Sequence, residues 1–169
     1  MKTLKLGEWS VLGLLMIVLL VGVWATPALA APAEQQDFIR LEYGLKRALL
    51  WADALQDRID NLTGGGNLVD EFIVDEQEKG HDTASLERAL VTFRTKVGVA
   101  QESLNTAVGI LENKAGFDEN GEVLEPQQAR ETLKTAHRTM QDARQTLFPA
   151  AQDLRQAMRD YLQDRRERR

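Results

Sequence analysis

The chain has 169 residues, a formal net charge of −5, 43% hydrophobic and 28% charged residues, and no cysteine. That length bounds it to one ordinary domain with a continuous core, and its acidic balance excludes a general nucleic-acid binder, which needs a basic surface to displace counterions from phosphates. Without thiols there is no disulfide framework, no lipid-modified cysteine and no thiolate chemistry.

Residues 1–30 read as a signal peptide. Lys2 and Lys5 form a short basic start, Val11 to Trp24 an apolar run interrupted by two glycines, and Ala28-Leu29-Ala30 a small-x-small cleavage site before Ala31-Pro32. Thr26-Pro27 ends the apolar helix just ahead of that site, because proline disfavours helical geometry in the residue before it. The rival reading is a retained N-terminal membrane anchor, but Val11–Ala25 falls short of the roughly 20 apolar residues of a spanning helix. The expected working protein is Ala31–Arg169, secreted or held in the periplasm or cell envelope. The leader carries Lys2 and Lys5 against Glu8, so the remainder stands at −6. Of the three tryptophans only Trp51 lies beyond the leader, which leaves no stacking platform for single strands.

From Phe38 the apolar positions step by three and four: Phe38, Leu41, Leu45, Ala48, Ala52, Leu55, Ile59, Leu62. A second stripe runs Leu86, Leu90, Phe93, Val97, Ala100, Leu104, Ala107, Leu111. A third runs Ala129, Leu133, Ala136, Met140, Ala143, Leu147, Ala150, Leu154, Ala157, Tyr161. Such spacing keeps an apolar line facing partner helices, as in coiled coils and helix bundles. Leu49, Leu50, Val91, Val108, Ile110, Met158 and Leu162 are expected to widen the stripes so that each helix meets two partners.

Thr63-Gly64-Gly65-Gly66-Asn67 is costly in backbone entropy, which predicts that the first helix stops near Leu62. Leu68, Val69, Phe72 and Ile73 then fit one face of a short helix over 68–79, with Gly80 just past its end. Asp82 or Thr83 caps the second long helix, Gly116 ends it, Asn120-Gly121 turns the chain, and Pro126 opens the last helix. Pro149 is expected to kink or break that helix near Leu147 and Phe148. The expected fold is all-α: an elongated antiparallel up-and-down bundle of three long helices, each roughly 45 Å, plus one short helix. The expected domains are a signal peptide at 1–30, a helical bundle at 31–164 and a basic tail at 165–169.

Candidate sites are few. Asp118-Glu119-Asn120-Gly121-Glu122 resembles the start of a calcium loop, with Asp118, Asn120 and Glu122 as ligands, but Val123 and Ala129 stand where the helix-loop-helix motif needs glycine and glutamate. The plainer reading is an Asn-Gly turn. Glu78 and His81, with Asp82, have Glu-x-x-His metal spacing, but Gly80 interrupts the helix and favours a solvated acidic connector. His137, beside Arg138, has no acidic partner at helical spacing. Ser85 and Ser103 lie outside any nucleophile elbow, and Gly64-Gly65-Gly66 lacks the ending of a phosphate loop. No enzymatic activity, metal or cofactor is expected. Asn61-Leu62-Thr63 matches a glycosylation acceptor only in form. Arg155 to Arg169, interleaved with Asp153, Asp160, Asp164 and Glu167, reads as a solvated helix end whose cations complement the macrodipole, or as a weak contact for anionic lipid or cell-wall polymer.

At His81-Asp82-Thr83-Ala84-Ser85-Leu86-Glu87 and Ala115-Gly116-Phe117-Asp118-Glu119-Asn120-Gly121-Glu122-Val123 the chain resembles a group of small exported all-helical bacterial proteins. The likeness spans roughly residues 38–162, rests on caps and turns, and implies helix order without implying an activity. In size and helicity the chain is also similar to the small periplasmic chaperones of the Spy and CpxP family, without their Leu-Thr-x-x-Gln motif, since Leu62-Thr63 is followed by glycines. The resulting expectation is a non-catalytic extracytoplasmic interaction or structural protein, with an envelope-stress chaperone or metal-responsive periplasmic sensor as the alternative. A protein partner or an oligomer fits this reading. Membrane contact would be confined to the signal segment and the Arg-rich tail.

Overall fold

The structure, a computed structural model, describes residues 33–167, so the leader and its cleavage site lie outside the described residues. Asp37–Arg169 forms one compact unit. The described residues are all-helical, without strands: α1 spans Ala33–Glu78, α2 Ala84–Glu112 and α3 Pro126–Glu167. At 1.5 Å per residue these helices are roughly 70, 44 and 63 Å long, so α1 and α3 exceed the expected 45 Å.

The stripes bury as their spacing requires. Every member of the second stripe is in the core, and most of the other two, from Leu41 to Ile59 and from Ala129 to Tyr161, are buried or half-buried. Contacts between elements fix helix directions. Gln56 bonds Gln101, Asp70 pairs with Arg94 and Gln77 bonds Glu87, so α2 descends as α1 rises. Asp37 meets Arg130, Trp51 meets His137 and Phe72 meets Tyr161, so α3 rises with α1. Of the residues expected to widen the stripes, Leu49, Val108, Ile110 and Met158 pack against the core. Leu50 (69% exposed), Val91 (64%) and Leu162 (39%) do not.

The glycine run corrects one expectation. α1 passes through Gly64–Gly66 without a break, and the separate short helix over 68–79 is its continuation. The seam itself explains this, because Ile59, Leu62, Gly66, Val69, Ile73 and Glu76 keep the three-four step across the glycines. Tertiary packing of that stripe outweighs the glycines' poor propensity. Gly66 is buried, and a Cβ there would stand 2.9 Å from Cε1 of Phe93, so the missing side chain lets α2 approach.

Pro149 likewise lies inside a continuous α3. It removes the donor to the Gln145 carbonyl, and both residues are exposed, so water can take that bond. The α2–α3 connection is tightly built. Gly116 adopts φ +88 and its carbonyl accepts from the amides of Leu124 and Glu125. Thr132 Oγ1 donates to the Ala115 carbonyl at 2.8 Å, and Phe117 bridges Val123. α2 itself ends at Glu112, four residues before Gly116, and no helix among the described residues is long and apolar enough to cross a membrane.

Candidate functional site

Two features stand out near the end of the bundle where α1 stops, α2 begins and α3 finishes. The first is polar. Glu76 sits on the α1 seam and is 1% exposed. Its Oε2 accepts the Tyr161 hydroxyl at 2.9 Å, lies 2.5 Å from Nη1 of Arg165 and 3.1 Å from Nδ1 of His81. Its Oε1 faces Lys79 Nζ at 3.4 Å. Burial pushes this carboxyl up, but hydrogen bonds from Tyr161 and Lys79 and the charges of Arg165 and Lys79 outweigh it, so the group stays below its ordinary value. Burial, then the bond to Glu76, pushes the Tyr161 phenol up. The hydrogen bond to Asp75 raises Lys79. Phe72 closes the cluster with its ring edge-on to Tyr161 at 5.8 Å.

Chemically this is a clamp. One carboxylate is engaged by a hydroxyl and flanked by Arg165 of α3 and by Lys79 and His81 of the connector, so it fastens helix ends. His81 Nδ1 approaches the carboxylate out of hydrogen-bond alignment, and Arg165 Nε is buried without a partner. Arg165 therefore belongs to the packed structure, not to a free basic tail, and the acidic connector and the arginines of α3 meet at one end of the bundle.

The second feature is apolar. A groove of about 390 Å³ opens between α1 and α3, with Gly65 and Gly66 on one wall, Ala151, Leu154 and Met158 on the other, and Phe93 of α2 at its base. Arg155 and Arg159 stand on its rim. Gly65 has no atom within 4 Å of where a Cβ would be, so a side chain there would enter open space.

Of the metal-ligand candidates singled out in the sequence, only His81 joins the polar cluster. Glu78 is exposed at the end of α1, and His81 faces Glu76 instead. Asp82 caps α2 by accepting from the Ala84 amide, whereas Thr83, in the cap position, turns its hydroxyl to Glu87. Asp118 Oδ1 accepts the amides of Asn120 and Glu122, both at 2.8 Å, and these bonds, led by that of Glu122, hold its carboxyl below the ordinary value. One oxygen of the carboxylate a calcium ion would need is thus engaged in the turn, the Asn120 side-chain amide donates to the other at 3.4 Å, and Glu122 is exposed. Among the described residues no group of three His, Cys, Asp or Glu side chains converges to hold a metal. His137 stacks on Trp51 with ring centroids 4.9 Å apart. Asn61 and Thr63 lie within α1, not at a helix end, and Thr63 bonds the Ile59 carbonyl.

Sequence reasoning missed Glu76, Arg165 and the groove, yet each had a signal. Continuing the first seam by three-four steps lands on Gly66 and Glu76, and continuing the third lands on Arg165. A glycine or a charge at a seam position marks either a close approach or a buried pair.

Comparison with known proteins gives no matching family model, no similar curated protein and no similar solved structure.

Proposed function

We propose that this chain is a non-catalytic extracytoplasmic interaction protein: an exported, elongated up-and-down bundle of three helices, two of them parallel, that works by holding a ligand or partner. The open groove between α1 and α3 carries this reading, because an apolar slot whose base is a core phenylalanine and whose rim is cationic is built for contact. Export rests on the leader-like residues 1–30 and on the likeness to small exported helical proteins.

The test is a photo-crosslinking side chain introduced at Arg155, on the groove's rim, in the whole chain expressed in a bacterial host. An adduct in the envelope fraction is expected, absent from a control at exposed Gln141 and suppressed by Gly65→Leu, with a processed N-terminus at Ala31. Retention of the protein in the cytosol, or equal adducts at both positions, would refute the reading.

Leu68, 67% exposed, and half-exposed Phe148 favour a second reading, a chaperone that holds unfolded clients on apolar surface. Substoichiometric protein would then suppress aggregation of a reduced, unfolding client. An unchanged light-scattering trace removes that reading.

A further inference from the structure

The docking reading can be carried to a ligand class. Arg155 and Arg159 lie one turn apart on α3, both exposed, both on the groove's rim. Like charges at that spacing repel, and among the described residues no carboxylate lies within salt-bridge distance of either. Arg159 donates to the neutral side chain of Gln156, which in turn donates to Asp160, and Asp153, which lines a neighbouring surface hollow with both arginines, is paired with Lys96. In a chain of net charge −5, two unneutralised cations beside an apolar slot are a local inversion of sign.

Depth and chemistry agree with this charge. The slot is lined by Leu62, Val69, Phe93, Leu154 and Met158, and its 390 Å³ is the space of about a dozen groups the size of water or methylene. It is apolar along its length and cationic at one edge, which matches an acyl chain with an anionic head.

Resting on the groove as the docking place, we propose that it binds a single-chain amphiphile with an anionic head group, the acyl chain between Gly65 and Leu154 and the head at Arg155 and Arg159. A free fatty acid and an anionic lysolipid share that chemistry.

Isothermal titration of protein purified after expression of the whole chain, with laurate, lauroyl lysophosphatidylglycerol and zwitterionic lauroyl lysophosphatidylcholine, all below their micelle concentrations, tests it. One site is expected for an anionic probe, with at least about tenfold weaker binding of the zwitterion. Binding of laurate alone would identify a free fatty acid as the source, and of the lysophosphatidylglycerol a lipid. Gly65→Leu adds a side chain to a residue that lines the slot, at a position where a Cβ meets nothing within 4 Å, and should abolish binding while unfolding no lower in temperature than the parent. Arg155→Gln with Arg159→Gln should erase the preference for the anion and retain the weaker apolar binding. Binding that survives Gly65→Leu, or no discrimination between anion and zwitterion, overturns the proposal. If no amphiphile binds while the Arg155 crosslink still yields a protein-sized adduct, the ligand class falls and the docking reading stands.

Discussion

Replacing each of the three consecutive glycines of α1 by alanine separates helix propensity from packing at adjacent positions. In a continuous helix each substitution gains about 0.8–1 kcal/mol of propensity. At Gly64 and Gly65 nothing lies within 4 Å of the added Cβ, so that gain should appear in full. At Gly66 the Cβ would meet Phe93 Cε1 at 2.9 Å, and the ring is buried, so it must shift against its neighbours. Overpacking of this kind costs about 1–3 kcal/mol, which offsets or exceeds the gain. Thermal unfolding followed by circular dichroism should therefore show Gly64→Ala and Gly65→Ala raising Tm by about 3 °C each, and Gly66→Ala leaving it unchanged or lowering it by up to roughly 7 °C. A fall in Tm for Gly65→Ala would mean that the helix is interrupted there. A rise for Gly66→Ala equal to that for Gly65→Ala would mean that Phe93 does not pack on Gly66.

Three further outcomes are expected. Phe93→Ala removes the one large side chain at the base of the groove and should destabilise by about 3–5 kcal/mol in denaturant titration, more than any of the three glycine changes in α1. Gly116→Ala should be severe, about 3 kcal/mol or more by the same measurement, because φ is +88 and the Cβ would sit 2.2 Å from the Ala129 backbone nitrogen, which cannot give way. Glu76 is held below its ordinary value of 4.5 when folded, so its contribution is full above that value and lost as pH falls through the lower folded one. Tm should drop on acidification below about pH 4.5, and Glu76→Gln should lower the neutral-pH Tm and flatten that acid limb; Asp118, also held low, adds to the slope below its own ordinary value of 3.8.

The three stripes were readable because an apolar residue every three or four positions has few uses besides a helix seam, and the second stripe buries in every member. Gly80 and Asn120-Gly121 were readable because positive φ has a residue signature, here φ +77 and +86. The glycine run misled because propensity is a local quantity of about 1 kcal/mol per residue, whereas the seam's burial acts over the whole helix and decides the outcome. Pro149 does not break α3, and its exposed position leaves the freed Gln145 carbonyl open to water. Glu76 was passed over because the glycine run reads as the end of the first helix, so the seam was not carried on to position 76. Its partners Tyr161 and Arg165 are 85 or more positions away in sequence and become neighbours only once α3 lies parallel to α1.

Packing requires Gly66 but does not require Gly64 or Gly65. Three consecutive helix-interior glycines lower propensity by about 3 kcal/mol in all, and two of them sit where a larger side chain would meet nothing. A sequence shaped by helix propensity alone would place alanine or leucine there, including at Gly65, which lines the slot. What keeps α1 helical past them is the second half of its seam, Val69, Ile73 and the clamped Glu76, which ties the far end of α1 to Tyr161 and Arg165 of α3. Clamp and groove are thus complementary: the polar cluster holds the ends of α1 and α3 at a fixed spacing, about 15 Å along α1 from Gly66. The small residues between can then leave a space open without the helices collapsing into it. A retained local weakness secured by a nearby fastening is one form of a trade of stability for function, and it supports the proposed docking role of the groove.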